Sequence, residues 1–427
     1  MQKLYEIQIK EIWNQLKKEP LAFWLFCFYI FIEYVRPQST HPQLDILPWA
    51  QLSILAAFGA SFLKDSVNIE KSNPISKLML LYFVVIIISS LNAFNSDKAF
   101  NTLSDFYIWW LVFYIGVKVV TTKERFFIFY LSFLLYSFKM SQHGFISWAL
   151  IGFSFRNWGV VGSPGWFANS GEFGIQLCIF VPMALYFIFA LKDHWGKIKK
   201  LFFYAMPITG FASIIATTSR GALLGIIVVF AYMVARSKYF LKATIGAAIV
   251  GVIGLYLIPD EFMARFDTAG TDDTSMHRLH RWEEGLQMLN DHPWFGIGFN
   301  NWMEYCIDYG LRCAAGLSHN IFIQVGSELG YAGLIVFVLM LIYCFVLTAR
   351  TRKYAKQTED NFSRLIAHGL DGALIGYLVS GFFITVMYYP YFWIHIIFVV
   401  SLYNIARSEL NKKEQTESSQ TDSHPNL

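Results

Sequence analysis

Apolar residues in this chain fall into long continuous runs rather than strict alternation or helical stripes. Candidate spans lie near 21–35, 46–63, 77–93, 105–120, 126–138, 172–191, 201–217, 221–236, 243–258, 320–348, 365–387 and 390–406. A helix that crosses the hydrocarbon core needs about 20 mostly apolar residues, so the pattern predicts an all-α polytopic membrane protein with about twelve transmembrane helices. The connecting segments alternate in charge. One set comprises the N-terminus, 64–77, 118–125, 192–200, 236–242, 350–364 and the C-terminal tail, and it carries most of the 34 Lys and Arg. The other set holds only Arg36, Lys98, Lys139, Arg156, Arg220, Arg265, Arg278, Arg281 and Arg312. Basic loops stay on the cytoplasmic side, which places both termini in the cytoplasm and the second set outside.

Composition narrows the class further. Hydrophobic residues make up 55% and charged residues 15%, against about 25% charged in an ordinary soluble domain. A soluble fold, a disordered chain and a disulfide scaffold are excluded. The net charge of +4 follows from membrane topology, and no nucleic-acid partner is expected. Residues 1–20 read as a cytoplasmic amphipathic N-terminus lying on the bilayer. The run from 21 lacks a small-residue cleavage site and reads as an anchor. Residues 21–258 then hold helices 1–9 with a periplasmic segment at 139–171. A large periplasmic loop spans 259–319, helices 10–12 span 320–406, and 407–427 has the composition of a disordered tail.

Two outer segments, 139–171 and 259–319, are too long for simple turns, and long loops on a many-span scaffold tend to carry function. The spans starting near 172, 221 and 320 all run inward, so their positively polarised N-termini face outward. Asn169-Ser170, Thr217-Thr218-Ser219 and Ser318 are candidate caps. Arg220 and His319 sit at two of these helix starts, which suits them to an anionic ligand. Plainer roles are also open: Arg220 as a snorkelling residue, Arg278 and Arg281 paired with Asp273, Glu283 or Glu284, and His319 as a packed histidine. His277 and His280 lack a third ligand at metal-site spacing, so no metal is expected. The spacings Gly221–Gly225 and Gly372–Gly376, with Gly326, Gly330 and Gly333, read as close helix packing. Cys27, Cys178 and Cys344 fall inside spans. Cys306 and Cys313 share the outer loop; a continuous helix would hold their α-carbons about 10 Å apart, too far to bridge, whereas a turn at Asp308-Tyr309-Gly310 would bring them together.

Four stretches resemble a known family. TTSRGALLG (217–225) resembles the serine-arginine-glycine signature of the O-antigen ligase and polymerase superfamily. RLHRWEEGLQMLNDHPWFGIGFNNW (278–302) is similar to its outer-loop signature, and LSHNIFIQVGSELGYAGL (317–334) to the serine-histidine-asparagine element that opens its next span. GSPGWFANSGEFG (162–174) resembles an asparagine-bearing stretch found earlier in such proteins. FIEYVRPQ with the Asn169–Glu172 stretch is similar to the O-glycosylation ligase branch associated with exosortase systems. The resemblance implies a GT-C-like glycosyltransferase architecture in the bacterial inner membrane. It implies transfer of a glycan from undecaprenyl diphosphate to an acceptor hydroxyl on a lipid, glycan or protein, at the periplasmic face, without metal or other cofactor. The family's two arginines and histidine fall on Arg220, Arg278 and His319, which become the expected catalytic residues. Arg281 lies one helical turn from Arg278 and, with Asn169 and Glu172, is expected to bind substrate.

The chemistry is consistent with those residue types. A departing diphosphate needs compensation of negative charge, which guanidinium groups supply in bidentate form. An attacking hydroxyl benefits from a neutral imidazole as base. A polymerase of the same superfamily is the nearest alternative. A transporter or flippase is a more distant one, since Glu33, Asp371 and His395 are the few ionisable residues inside spans and no inverted repeat is visible.

Overall fold

The computed structural model describes residues 1–63, 73–155, 159–237, 240–241, 244–246 and 272–422. The predicted span at 243–258, apart from 244–246, lies outside the described residues, as do loop residues 259–271 with Arg265, and Arg156. Among the described residues every regular element is helical and none is a strand. The longer helices are α1 (Ile9–Leu16), α2 (Leu21–Val35), α3 (Trp49–Ala60), α4 (Pro74–Leu91), α5 (Ser104–Val119), α6 (Lys123–Leu150), α7 (Ser170–Leu191), α8 (Lys197–Ala216), α9 (Arg220–Ala235), α10 (Asp273–Asp291), α11 (Trp302–Asp308), α12 (Ile321–Gln357), α13 (Asn361–Gly381) and α14 (Pro390–Asp422). Four among the described residues are long and apolar enough to cross a bilayer: α4, the segment Ser170–His194 containing α7, α8 and α12.

Helix α7 is the centre of the bundle. In its most apolar window 83% of the residues are buried, against 33% for α8, and α13 packs on it most extensively, followed by α8. Glycines permit that approach: a β-carbon on Gly376 would stand 2.7 Å from the carbonyl oxygen of Cys178. Gly225 faces Ser380 and the Gly376 carbonyl in the same seam, so these two spacings are packing glycines as their sequence suggests.

Gly330 is different. It has φ 66° and ψ −168° in the middle of α12, a region of backbone space open essentially to glycine alone. The resulting kink frees backbone groups, and the stretch His292–Gly298 satisfies them. Tyr331 N–H donates to Pro293 O at 2.7 Å and Ala332 N–H to Trp294 O at 3.2 Å. In return Ile297 N–H donates to Ser327 O at 2.8 Å and Gly298 N–H to Glu328 O at 3.1 Å. The glycine-rich turn after α10 is thus a splint for the kink in α12. It also fastens α4, because Phe94 N–H donates to Ile297 O at 2.8 Å.

Several boundaries differ from expectation. Helix α6 continues to Leu150, so Lys139 lies on a helix and not in an outer loop. Helix α13 stops at Gly381, and 382–389 is a turn where the span 365–387 was expected. The 259–319 segment is itself built: α10 is followed by α11, and Gly310 at φ 61° turns the chain so that Cys306 and Cys313 form a disulfide with α-carbons 5.4 Å apart. Helix α14 runs on to Asp422, through the stretch predicted to be a disordered tail. Lys413 supports it by donating to Gln357 O at 2.9 Å.

Two of the three ionisable span residues, Glu33 and Asp371, have protein partners, whereas neither ring nitrogen of His395 has a hydrogen-bond partner among the described residues. Glu33 accepts from Trp166 Nε1 at 2.7 Å. Asp371 accepts from Arg352 and Thr348, each at 2.5 Å, and from Tyr232 at 3.2 Å, tying α9, α12 and α13 together.

Candidate functional site

The starts of α7, α9 and α12 meet at one end of the bundle, around the turn that follows α13. Ile384 lies 3.0 Å from the β-position of Gly171, at the start of α7, and Phe383 lies 3.0 Å from that of Gly221, at the start of α9. Thr385 holds the approach to α12, accepting from His319 N–H at 2.7 Å and sharing a hydrogen bond with Ser318 Oγ at 3.2 Å. Phe382 packs edge-on against Trp282 of α10, ring centroids 5.3 Å apart. These four turn residues were read as span interior from the sequence.

Each helix start is capped, though not always by the expected residue. Ser219 accepts from Ala222 N–H at 3.3 Å. Asn169 accepts from Gly171 N–H at 2.8 Å, while Glu172 reaches back to Asn169 N–H at 3.2 Å, closing a capping box. Asn320, not Ser318, caps α12, accepting from Phe322 N–H at 2.8 Å and Ile323 N–H at 3.2 Å. His319 therefore precedes the helix by one residue more than the sequence suggested. Its backbone is left-handed, φ 49°, a conformation uncommon for a residue with a β-carbon, and the Thr385 hydrogen bond holds it there.

Helix α10 brings the second set of side chains. Its N-cap, Asp272, accepts from Ser275 N–H at 3.0 Å and takes a forked contact from Arg220, Nη1 at 3.0 Å and Nη2 at 3.4 Å. Arg220 thus bolts the start of α9 to the start of α10. Its hydrogen bonds hold the Asp272 carboxyl well below the usual carboxylate range. Arg278 lies on the next turn of α10, and its Nε is buried with no hydrogen-bond partner among the described residues. Burial, with Arg220 close by, lowers its pKa, and Asp272 offsets this in part.

Arg281 and Trp282 hold the loop that carries His319. Arg281 donates to Ala315 O at 3.1 Å and to Leu317 O at 3.4 Å, and Trp282 Nε1 donates to Ser318 O at 2.9 Å. Glu284 accepts from Arg312 N–H at 2.9 Å and Cys313 N–H at 2.7 Å, so the disulfide turn is fastened to the same helix. The pairings of Arg278 or Arg281 with Asp273 or Glu283 that the sequence left open are not among the observed contacts. Burial, then the neighbouring Arg278 and Arg281, depress the His319 imidazole to about 4. With its pKa held there, the imidazole is neutral at pH 7.

Arg220, Arg278, Arg281 and His319 therefore share one electrostatic neighbourhood, and Asn169 stands beside it through the contact of its helix start with Ser219. Glu172 points elsewhere, accepting from Tyr389 Oη at 2.8 Å. The sequence marks Asp272 only as one ionisable residue of the outer loop and gives Thr385 no role. Asp272 is one of several acidic residues near the start of α10, and only its position three residues ahead of Ser275 marks it as a cap.

Such a gathering of guanidinium groups around a neutral imidazole, at one end of an apolar helical bundle, suits an anionic, membrane-borne substrate. Residues 205–338, which contain α9, α10 and the kink of α12, match the family model described as O-antigen ligase. Over 203 residues the chain is 26% identical to "Exopolysaccharide production protein ExoQ" of Rhizobium meliloti (strain 1021), an alignment covering 42% of this chain and 45% of that protein. The chain therefore spans less than half the length of that relative. Its apolar helices fit a multi-pass membrane protein, and the stretch 205–338, about a third of the chain, is similar to the O-antigen ligase family.

Proposed function

We propose that the protein transfers a glycan from undecaprenyl diphosphate to an acceptor hydroxyl, with inversion and without metal, on the periplasmic face of the bacterial inner membrane. In this reading both termini are cytoplasmic and about twelve helices span the bilayer in a GT-C-like arrangement. Arg278 and Arg220 grip the diphosphate; Arg281 holds the loop and adds positive charge. The acceptor oxygen forms a bond to the anomeric carbon as the carbon–oxygen bond to the diphosphate breaks. The diphosphate leaves with the electron pair, and the hydroxyl proton passes to neutral His319. Asn169 shapes the rim through its capping box, and Glu172 fixes the neighbouring turn through Tyr389.

The observation that carries this reading is the buried Nε of Arg278, without a hydrogen-bond partner among the described residues and close to a second arginine. Two adjacent cations repel until an anion arrives. A unit charge pair at 4 Å is worth about 4 kcal/mol at an effective dielectric of 20, so a diphosphate beside both arginines relieves their repulsion and competes with Asp272 for Arg220. The similarity to a protein named for exopolysaccharide production favours a second reading, in which the acceptor is another lipid-linked glycan and the product a polymer.

The test is transfer from a radiolabelled undecaprenyl-diphosphate glycan by the purified protein. Arg220→Ala, Arg278→Ala and His319→Ala should each lose about 100-fold or more in rate. If all three stay folded and transfer glycan at the parent rate, the assignment is wrong. A ladder of lengthening products in place of a capped acceptor would select the polymerase.

A further inference from the structure

The loop 315–319 is a partition. Its α10 side is held by Arg281 and Trp282 and faces the arginines. On its other side lies a cavity of about 270 Å³ whose wall includes Leu317 and Thr385, the residue that takes the His319 backbone N–H. The transfer reaction proposed above gives this second chamber no role.

Its chemistry is the opposite of the arginine side. Three carboxylates line it, Asp105, Glu304 and Glu328, with one lysine, Lys98. Lys98 is spent on Glu304 at 3.1 Å. Glu328 is fully buried and accepts from Tyr388 Oη and from Asn300 N–H. Asp105 accepts from the Asn300 side chain at 3.3 Å. Asn300 itself has a left-handed backbone, φ 53°, at the end of the splint that braces α12, so this polar wall is built into the fold. Facing it, Trp166 and Tyr389 form an aromatic corner, ring centroids 4.9 Å apart and inclined by 61°. Trp166 is tethered to Glu33 and Tyr389 to Glu172.

Carboxylates and amides accept hydrogen bonds from several hydroxyls at once, and aromatic faces, negative at their centres, take the C–H face of a ring. Together these are groups for a saccharide. Pockets that bury drug-sized ligands run from about 300 to 1,000 Å³, so this one admits a single small ring and leaves the rest of a chain outside. The acidic lining repels phosphate and uronate groups and thereby keeps the diphosphate on the arginine side of the partition.

We propose that this cavity is the acceptor subsite, which binds one neutral sugar ring at the edge of the 315–319 loop, beside the Thr385 that holds the His319 backbone. The assignment rests on the transferase reading for its role but not for its ligand, and two measurements separate them. The first needs no turnover. Saturation-transfer NMR on the full chain in nanodiscs, without donor, is run with methyl glucoside, methyl galactoside and methyl glucuronide. The neutral glycosides should bind and the glucuronide should not. Asp105→Ala should weaken binding at least fivefold, the shape-keeping Asp105→Asn should fall between, and Arg278→Ala should bind as wild type. Absence of any neutral-glycoside signal, or binding indifferent to Asp105, overturns the subsite. The second is a KM split during transfer: Asp105→Asn should raise the acceptor KM about tenfold and leave the donor KM within twofold. A rise in donor KM instead would mean that the donor's own sugar lies there and would overturn the acceptor assignment. Glycoside binding that depends on Asp105, in a protein that transfers no glycan, would uphold the sugar site while removing the transferase reading.

Discussion

Gly330→Ala tests the splint that positions the site. The native φ of 66° and ψ of −168° cost an alanine about 1–3 kcal/mol. The added β-carbon would also stand 2.5 Å from the Trp294 carbonyl carbon and 2.6 Å from Phe295 N, and backbone cannot swing aside as a side chain can. Moving 293–295 away sacrifices the 2.7 and 3.2 Å hydrogen bonds to Tyr331 and Ala332, each about 1 kcal/mol net. The expected loss is therefore about 3–5 kcal/mol, placing this variant among the most destabilising single substitutions. Gly326→Ala is the control, on the same helix one turn earlier. Its β-carbon would meet only side-chain ends, Leu289 at 3.3 Å and Leu334 at 3.9 Å, and the helix gains up to ~1 kcal/mol of propensity. Denaturant titration of both variants in mixed micelles, followed by tryptophan fluorescence, should rank them far apart. A Gly330→Ala protein within ~0.5 kcal/mol of wild type, or no less stable than Gly326→Ala, would refute the kink-and-splint account.

Other outcomes follow from the same contacts. If burial and two arginines hold His319 at about 4, the imidazole is a base above that pH and is lost as a base below it. The acid limb of kcat/KM should then lie near pH 4, and Arg281→Gln, which keeps a donor for Ala315 O but removes one charge, should move the limb upward; a limb near 6.5 in the wild type would contradict this. Replacing Cys306 and Cys313 together by serine opens a loop of sequence separation 7, for which the chain-entropy model gives a loss of about 2 kcal/mol, measurable by denaturation with and without reductant. Asn169→Ala removes the cap of α7 and should cost about 1 kcal/mol with little change in donor KM; a large rise in donor KM at unchanged stability would make Asn169 a direct ligand.

Continuous apolar runs located the helices well, because burial in lipid and burial in a packed core make the same demand on composition. They failed where an apolar stretch is not helical. Phe382, Phe383 and Ile384 look like span, yet they form the turn on which three helix starts converge. The converse error occurred at Lys139 and His143, polar residues that sit on α6 without ending it. Gly330 was legible as a glycine but not as a kink, since one sequence carries no sign of which neighbour approaches it. Arg220, Arg278 and His319 stand out in the sequence by residue type and motif. Their pairing with Asp272 and Thr385 spans 52 and 66 positions, a separation that only the folded chain bridges. The helix to Asp422 reflects a Glu-, Lys- and Gln-rich composition that favours helix as readily as a solvated coil.

Direct binding of the diphosphate head group is the measurement that meets the central claim. Undecaprenyl diphosphate, without a glycan, is titrated into nanodiscs holding wild type, Arg278→Ala and His319→Ala, and the lipid phosphorus signal is followed by NMR. Arg278→Ala should weaken binding more than tenfold, a loss above ~1.4 kcal/mol, while His319→Ala should bind as wild type because its imidazole is neutral. Equal affinity in the wild type and Arg278→Ala would contradict the assignment of this cluster as the diphosphate site.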